Sequence, residues 1–138
     1  MGRTILGAAL GLVTAFLTIM LIEYFGHMLY PPPPGLNPMD TAQMASILQS
    51  QPLPALLIVV AAWTLGAFEG GLVAALIARA QRPTLAALVP AVLVVAGVVG
   101  MIMQMPGHPM WMAVAGLLLP IPAALAGAAL AARLRRKR

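Results

Sequence analysis

The chain contains no cysteine and only three acidic residues, Glu23, Asp40 and Glu69, in 138 positions. Without cysteine, disulfides, thiolate metal sites, iron–sulfur clusters and thiol catalysis are all excluded. Charge of either sign is scarce. Asp, Glu, Lys and Arg make up 8% of the residues against 62% hydrophobic, and the mean hydropathy is +0.97. A water-soluble domain carries about a quarter of its residues charged to coat its surface. The composition therefore specifies an integral membrane protein, with room for about four spans of roughly 20 residues each and no separate soluble domain. Catalytic motifs are missing as well. There is no nucleophile–base–acid set, no phosphate-binding glycine loop and no zinc-protease histidine pair, which points away from an enzyme.

What is present is apolar sequence in long runs. These place spans at about 4–27, 53–78, 84–104 and 110–132, so the expected fold is all-α, a single four-transmembrane-helix bundle. The N-terminal run starts like a signal peptide. It is too long for one and reaches Glu23 without a small-x-small cleavage site, so it reads as a retained first span.

Lys and Arg set the expected orientation. Arg3 precedes span one, Arg79 and Arg82 lie in the second loop, and the tail 133–138 holds five basic residues. The first loop (30–52) and the third ("QMPGHP") hold none. By the positive-inside rule both termini and the middle loop are expected to be cytoplasmic, with loops one and three outside. The Arg-over-Lys, Ala-rich composition fits a bacterial cytoplasmic (inner) membrane. The net charge of +5 does not indicate nucleic acid, because the basic residues cluster at the end, "RLRRKR", with no interleaved aromatics. Arg133, Arg135, Arg136, Lys137 and Arg138 are expected to fix topology and touch anionic lipid.

The first loop has structure of its own. The proline run 31–34 imposes an extended segment. Asp40 with Gln43 three residues on forms a capping box for a short helix, 41–50, on which Met44, Ile47 and Leu48 share one side. Such a helix either lies on the outer headgroups as an interfacial element or covers an outward-facing site as a lid.

Two further patterns concern packing. Gly7 with Gly11, Gly66 with Gly70, and Ala123 with Gly127 are small residues spaced four apart, which lets helix backbones approach closely in lipid, within one chain or between copies. Pro90 lies in span three, and Pro120 with Pro122 near the middle of span four. The pair predicts a kink or a short unwinding there, and freed carbonyls at that depth require cover by protein or a wet cavity.

The residues that carry chemistry are few. Glu23 and Glu69 are the acids inside spans, and ionisable residues in lipid are expensive and usually face the bundle interior. Glu23 lies about 6–10 Å below the outer interface and Glu69 near the midplane at the level of Val13 or Thr14, about 10–15 Å apart in depth. Glu69 is expected to be a buried acid. Glu23 and His27 are i and i+4 neighbours whose side chains can meet on one face and would titrate as a unit. Tyr24, Tyr30 and Gln104 lie at the same depth, and His108 arrives on the same side of the membrane. Gly26-His27 and Gly107-His108 are a short echo, each followed by proline and an aromatic.

Met is abundant, at ten residues, with Met101, Met103, Met105, Met110 and Met112 around His108. Thioethers and imidazole suit Cu(I), so His27, His108, Met105 and Met110 are candidate metal ligands. Bis-histidine haem in a four-helix bundle is a further option, and ordinary apolar packing accounts for Met equally well. Three functional expectations follow. The first is binding or transport of a small ligand or proton through an outward pocket of Glu23, His27 and His108, with Glu69 as coupling acid. The second is an accessory subunit that docks a partner membrane subunit or further copies of itself. The third is a copper or haem protein.

Overall fold

In hydrocarbon every backbone polar group must be satisfied within the protein, so apolar runs of this length form helices. The computed structural model describes every residue except Pro38, Arg79, Ala80, Gln81, Pro106 and Arg138, and the side chain of Thr41. Arg79 and Arg138, which contribute to the orientation and tail readings, thus lie outside the described residues. Among the described residues all regular structure is helical: α1 (Gly2–Leu29), α2 (Thr41–Ser50), α3 (Leu53–Ala78), α4 (Pro83–Gln104), α5 (Met110–Leu118) and α6 (Pro120–Arg136). Helices α1, α3, α4 and the α5–α6 pair are long and apolar enough to cross a membrane, so the chain reads as a membrane-integral protein. Four crossings put Arg3, Arg82 and Arg133–Lys137 at one end, the basic end, with α2, Gly107 and His108 at the far end.

The proline pair produces a kink. Leu119, between α5 and α6, keeps right-handed helical geometry (φ −78°, ψ −36°). Its N–H bonds to the Ala115 carbonyl at 2.9 Å, and the Ala123 N–H reaches the Leu119 carbonyl at 3.1 Å. The hydrogen-bond ladder therefore runs through the break on both sides of Pro120 and Pro122, and the fourth span is continuous. Pro120 itself is fully buried.

α6 continues to Arg136, a turn beyond the end read from hydropathy, because arginine is a good helix former and positive charge suits a helix C-terminus. The Arg135 guanidinium donates to the Ala75 carbonyl at 2.7 Å. Ala75 lies in the last turn of α3, whose carbonyls lack helical partners. Arg135, expected to touch anionic lipid, also ties α6 to α3.

α3 is the central element. It packs against α1, α4 and α6, while α4 fills the space between and touches both α1 and α6. Glycine makes the α1–α3 contact possible. Gly7, Gly11 and Ala15 run antiparallel to Ala74, Gly70 and Gly66, and a Cβ added to Gly11 would lie 2.5 Å from the Gly70 carbonyl oxygen. On the opposite flank of α3, Gly127 of α6 sits against the Phe68 carbonyl. All three small-residue pairs serve elements of one chain. The core is graded by side-chain size. Toward the basic end it consists of fully buried alanines such as Ala74, Ala78, Ala86 and Ala87, whereas toward the far end it consists of Leu56, Val60, Trp63, Val98 and Met112.

Candidate functional site

The bulky end of the bundle holds a cavity of about 110 Å³ beneath α2. Its α1 wall is Glu23, Gly26, His27 and Tyr30, successive positions on one helical face by the i, i+3, i+4, i+7 rule. Leu56, Ile58 and Val59 of α3 form the opposite wall, and Met44, Ile47 and Leu48 of α2 the roof. In size it approaches cavities of ~150 Å³ that admit benzene. A carboxyl and an imidazole are thus set into walls that are otherwise mainly apolar.

The roof is held by the loop that precedes it. Asp40 caps α2: the Ala42 N–H donates to Oδ1 at 2.9 Å and the Gln43 amide donates to Oδ2 at 2.8 Å. The Gln43 Oε1 accepts from the Asn37 N–H at 2.8 Å, so the glutamine serves the loop rather than the Asp40 N–H that a capping box would give it. Gly35, at φ +87°, turns the chain after the prolines in a conformation that a side chain would strain, and Pro32 lines the cavity. Ile47 is buried. The short helix of 41–50 therefore contributes part of the cavity lining through Met44, Ile47 and Leu48.

Glu23 and His27 share this cavity without the direct side-chain pairing that their spacing predicts. The His27 ring is held by a 2.8 Å hydrogen bond between Nδ1 and the Glu23 backbone carbonyl. That carbonyl is one turn back on the same helix and within easy reach of the ring. Nδ1 then carries the proton in the neutral ring, and Nε2 is left as an acceptor. The Glu23 side chain instead lies near the Trp63 indole. Trp63 is buried in the bundle at 6% exposure.

The remaining candidates lie elsewhere. His108 is absent from the cavity wall. Its Nδ1 hydrogen-bonds the Met105 carbonyl at 2.8 Å, and its Nε2 is buried without a partner among the described residues. The echo with His27 extends to this geometry, each ring being held by a backbone carbonyl three or four residues back. The neighbouring Gly107 packs against Ala45 of α2, so the loop that brings His108 in meets α2 rather than the cavity. Gln104 is exposed at the end of α4. Tyr24 is exposed and edge-on to Phe25 at 5.7 Å, on a different face of α1 from Glu23. Met110 is 79% exposed. Among the described residues no three His, Asp or Glu side chains converge as a metal site, and His27 and His108 do not line a common cavity.

Glu69 is exposed on the bundle surface rather than buried. Gly66, Gly70 and Ala74 occupy the α1-facing side of α3 and turn position 69 toward the outer edge of that contact. The backbone level matches expectation, since neighbouring Gly66 and Gly70 lie against Ala15 and Gly11. The carboxyl reaches a turn further toward the far end, because helical side chains lean toward their N-terminus. There Oε2 accepts a 2.6 Å hydrogen bond from the Thr18 hydroxyl. Thr18 is five positions from Glu23, about 7 Å along α1, so the two acids occupy separate sites. Comparison with protein-family models, curated proteins and solved structures returns no match for this chain.

Proposed function

We propose that the protein binds a small ligand that enters from the outer face of the membrane and lodges beneath α2, where Glu23 and His27 are its polar contacts. The cavity carries this reading: it joins Glu23, His27 and Tyr30 to apolar walls that include Met44, Ile47 and Leu48 of α2. Loops one and three lack Lys and Arg, which supports the outward orientation and leaves Glu23 without a permanently cationic protein partner nearby. The Glu69–Thr18 pair at mid-depth is the second acid, and it serves proton coupling if binding leads on to transport.

The test is binding of a panel of small amines to protein in nanodiscs, read by Trp fluorescence in wild type, Glu23→Gln, His27→Ala and the control Tyr24→Phe. Loss of binding in the first two variants and its retention in the third is the expected result. Unchanged binding in Glu23→Gln, with folding intact, reduces the pair to an anchor.

A second reading, a subunit of a larger membrane assembly, draws on Glu69. An exposed carboxyl on a span is costly against lipid and is better accommodated against a partner helix or another copy of the chain. Isolation under mild detergent as a lone stable species counts against it. The copper and haem readings gain no support from the positions of His27, His108, Met105 and Met110.

A further inference from the structure

Two hollows lie end to end along one face of α1. The first is the cavity under α2. The second is a groove of about 240 Å³ between α1 and α4, walled by Leu12, Phe16 and Ile19 on one side and by Leu93, Gly97 and Met101 on the other. On α1 the two form a single stripe in which Leu12, Phe16 and Ile19 lead one turn at a time to Glu23, His27 and Tyr30. Trp63 stands at the junction. It lines the groove, and its indole lies near the Glu23 side chain on the cavity wall. The groove is open on one flank, since a Cβ on Gly97 would meet no heavy atom within 4 Å.

These hollows differ in chemistry. The upper one has an acid and an imidazole, and no Lys or Arg occurs in the sequence at that end. The lower one is walled entirely by apolar side chains apart from the indole N–H. The eleven positions from Leu12 to Glu23 span about 16 Å of helix, a path too long for a compact solute and suited to a chain. Resting on the reading of the cavity as a binding site, we propose that the ligand is a single-chain amphiphilic amine. Its ammonium head sits beside Glu23 under α2, and its tail runs past Trp63 into the α1–α4 groove. The acid complements the head, and the groove gives the tail protein contacts on two sides while it stays open to lipid on the third.

The absence of crowding at Gly97 allows a selective test. A Cβ at this groove-lining position meets no heavy atom within 4 Å and leucine improves helix propensity, so Gly97→Leu is expected to fold and to take up groove space. The chain has two tryptophans, and Trp111→Phe leaves Trp63 as sole reporter. Protein of this background in nanodiscs is titrated with dodecyltrimethylammonium brominated near the middle of its tail, where the chain passes Trp63, and Trp63 quenching is read. Saturable quenching is expected, weakened at least tenfold by Gly97→Leu and by Glu23→Gln. The same brominated tail on a neutral sugar head should give no saturable quenching. Binding that Glu23→Gln abolishes and Gly97→Leu leaves intact would overturn the tail path and spare the outer cavity. Binding indifferent to Glu23→Gln would overturn both. If no saturable quenching occurs, the amphiphile is wrong, and tetramethylammonium, the head alone, then tests the cavity by itself.

Discussion

Substituting Gly11 by alanine tests the packing on which the site depends. A Cβ there would lie 2.5 Å from the Gly70 carbonyl oxygen and 2.7 Å from the Ala74 Cβ, where ordinary contact begins at 3.4 Å. The shortfall to the oxygen is 3.4 − 2.5 = 0.9 Å. Backbone oxygen in a helix cannot rotate aside, so α1 and α3 must separate by about that amount. Overpacking of this kind costs about 1–3 kcal/mol, or roughly 5- to 150-fold in the folding equilibrium at 1.4 kcal/mol per decade. The same displacement would lengthen the 2.6 Å Thr18–Glu69 bond to the edge of hydrogen-bonding range. Gly97→Ala is the internal control. Its Cβ meets nothing, so it should gain up to about 1 kcal/mol of helix propensity. Unfolding by denaturing detergent, followed by far-UV circular dichroism in mixed micelles, measures both variants. If Gly11→Ala proves as stable as wild type, or Gly97→Ala falls with it, the close α1–α3 contact is not what holds these helices.

Asp40→Ala removes the α2 cap, a loss of about 1 kcal/mol. Faster amide exchange across 41–50, with the spans unchanged, is the expected sign of a loosened roof. Arg135→Gln, which loses the charge-assisted bond to the Ala75 carbonyl, should cost roughly 1 kcal/mol after discounting for its half-exposed setting and speed exchange at the end of α3; unaltered exchange there would mean that Arg135 only faces lipid. Thr18→Val deletes the donor to Glu69. Labelling of Glu69 by a hydrophobic carbodiimide, followed by mass spectrometry, should then accelerate, and an unchanged rate would show that Thr18 does not shield the carboxyl.

The helices were largely legible in the sequence, since apolar runs bounded by prolines and charges mark spans directly. α2 was legible from Asp40 and the spacing of Met44, Ile47 and Leu48. Glu23, His27 and Tyr30 share one helix, so local periodicity alone brings them to one wall. Trp63 was not legible as a neighbour of Glu23. The two are joined by the antiparallel register of α1 against α3, which rests on glycine contacts 50 or more positions apart, such as Gly11 with Gly70. The outward turn of Glu69 depends on the same register, as the glycines beside it claim the α1-facing side. His108 shows the limit of placing residues by depth. It reaches the expected end of the molecule, yet its loop settles against Ala45 on α2, a lateral choice that hydropathy does not encode.

The gradation from alanine to bulky side chains has a mechanical consequence. Methyl groups fill the core at one end and Trp63, Met112 and Leu56 fill it at the other; long side chains have rotamers to change and a methyl group has none, so the alanine end is the stiffer one. Lateral pressure in the bilayer would then be taken up mostly at the bulky end. Thicker or more tightly packed lipid would squeeze the space next to Glu23 while leaving the alanine end unmoved.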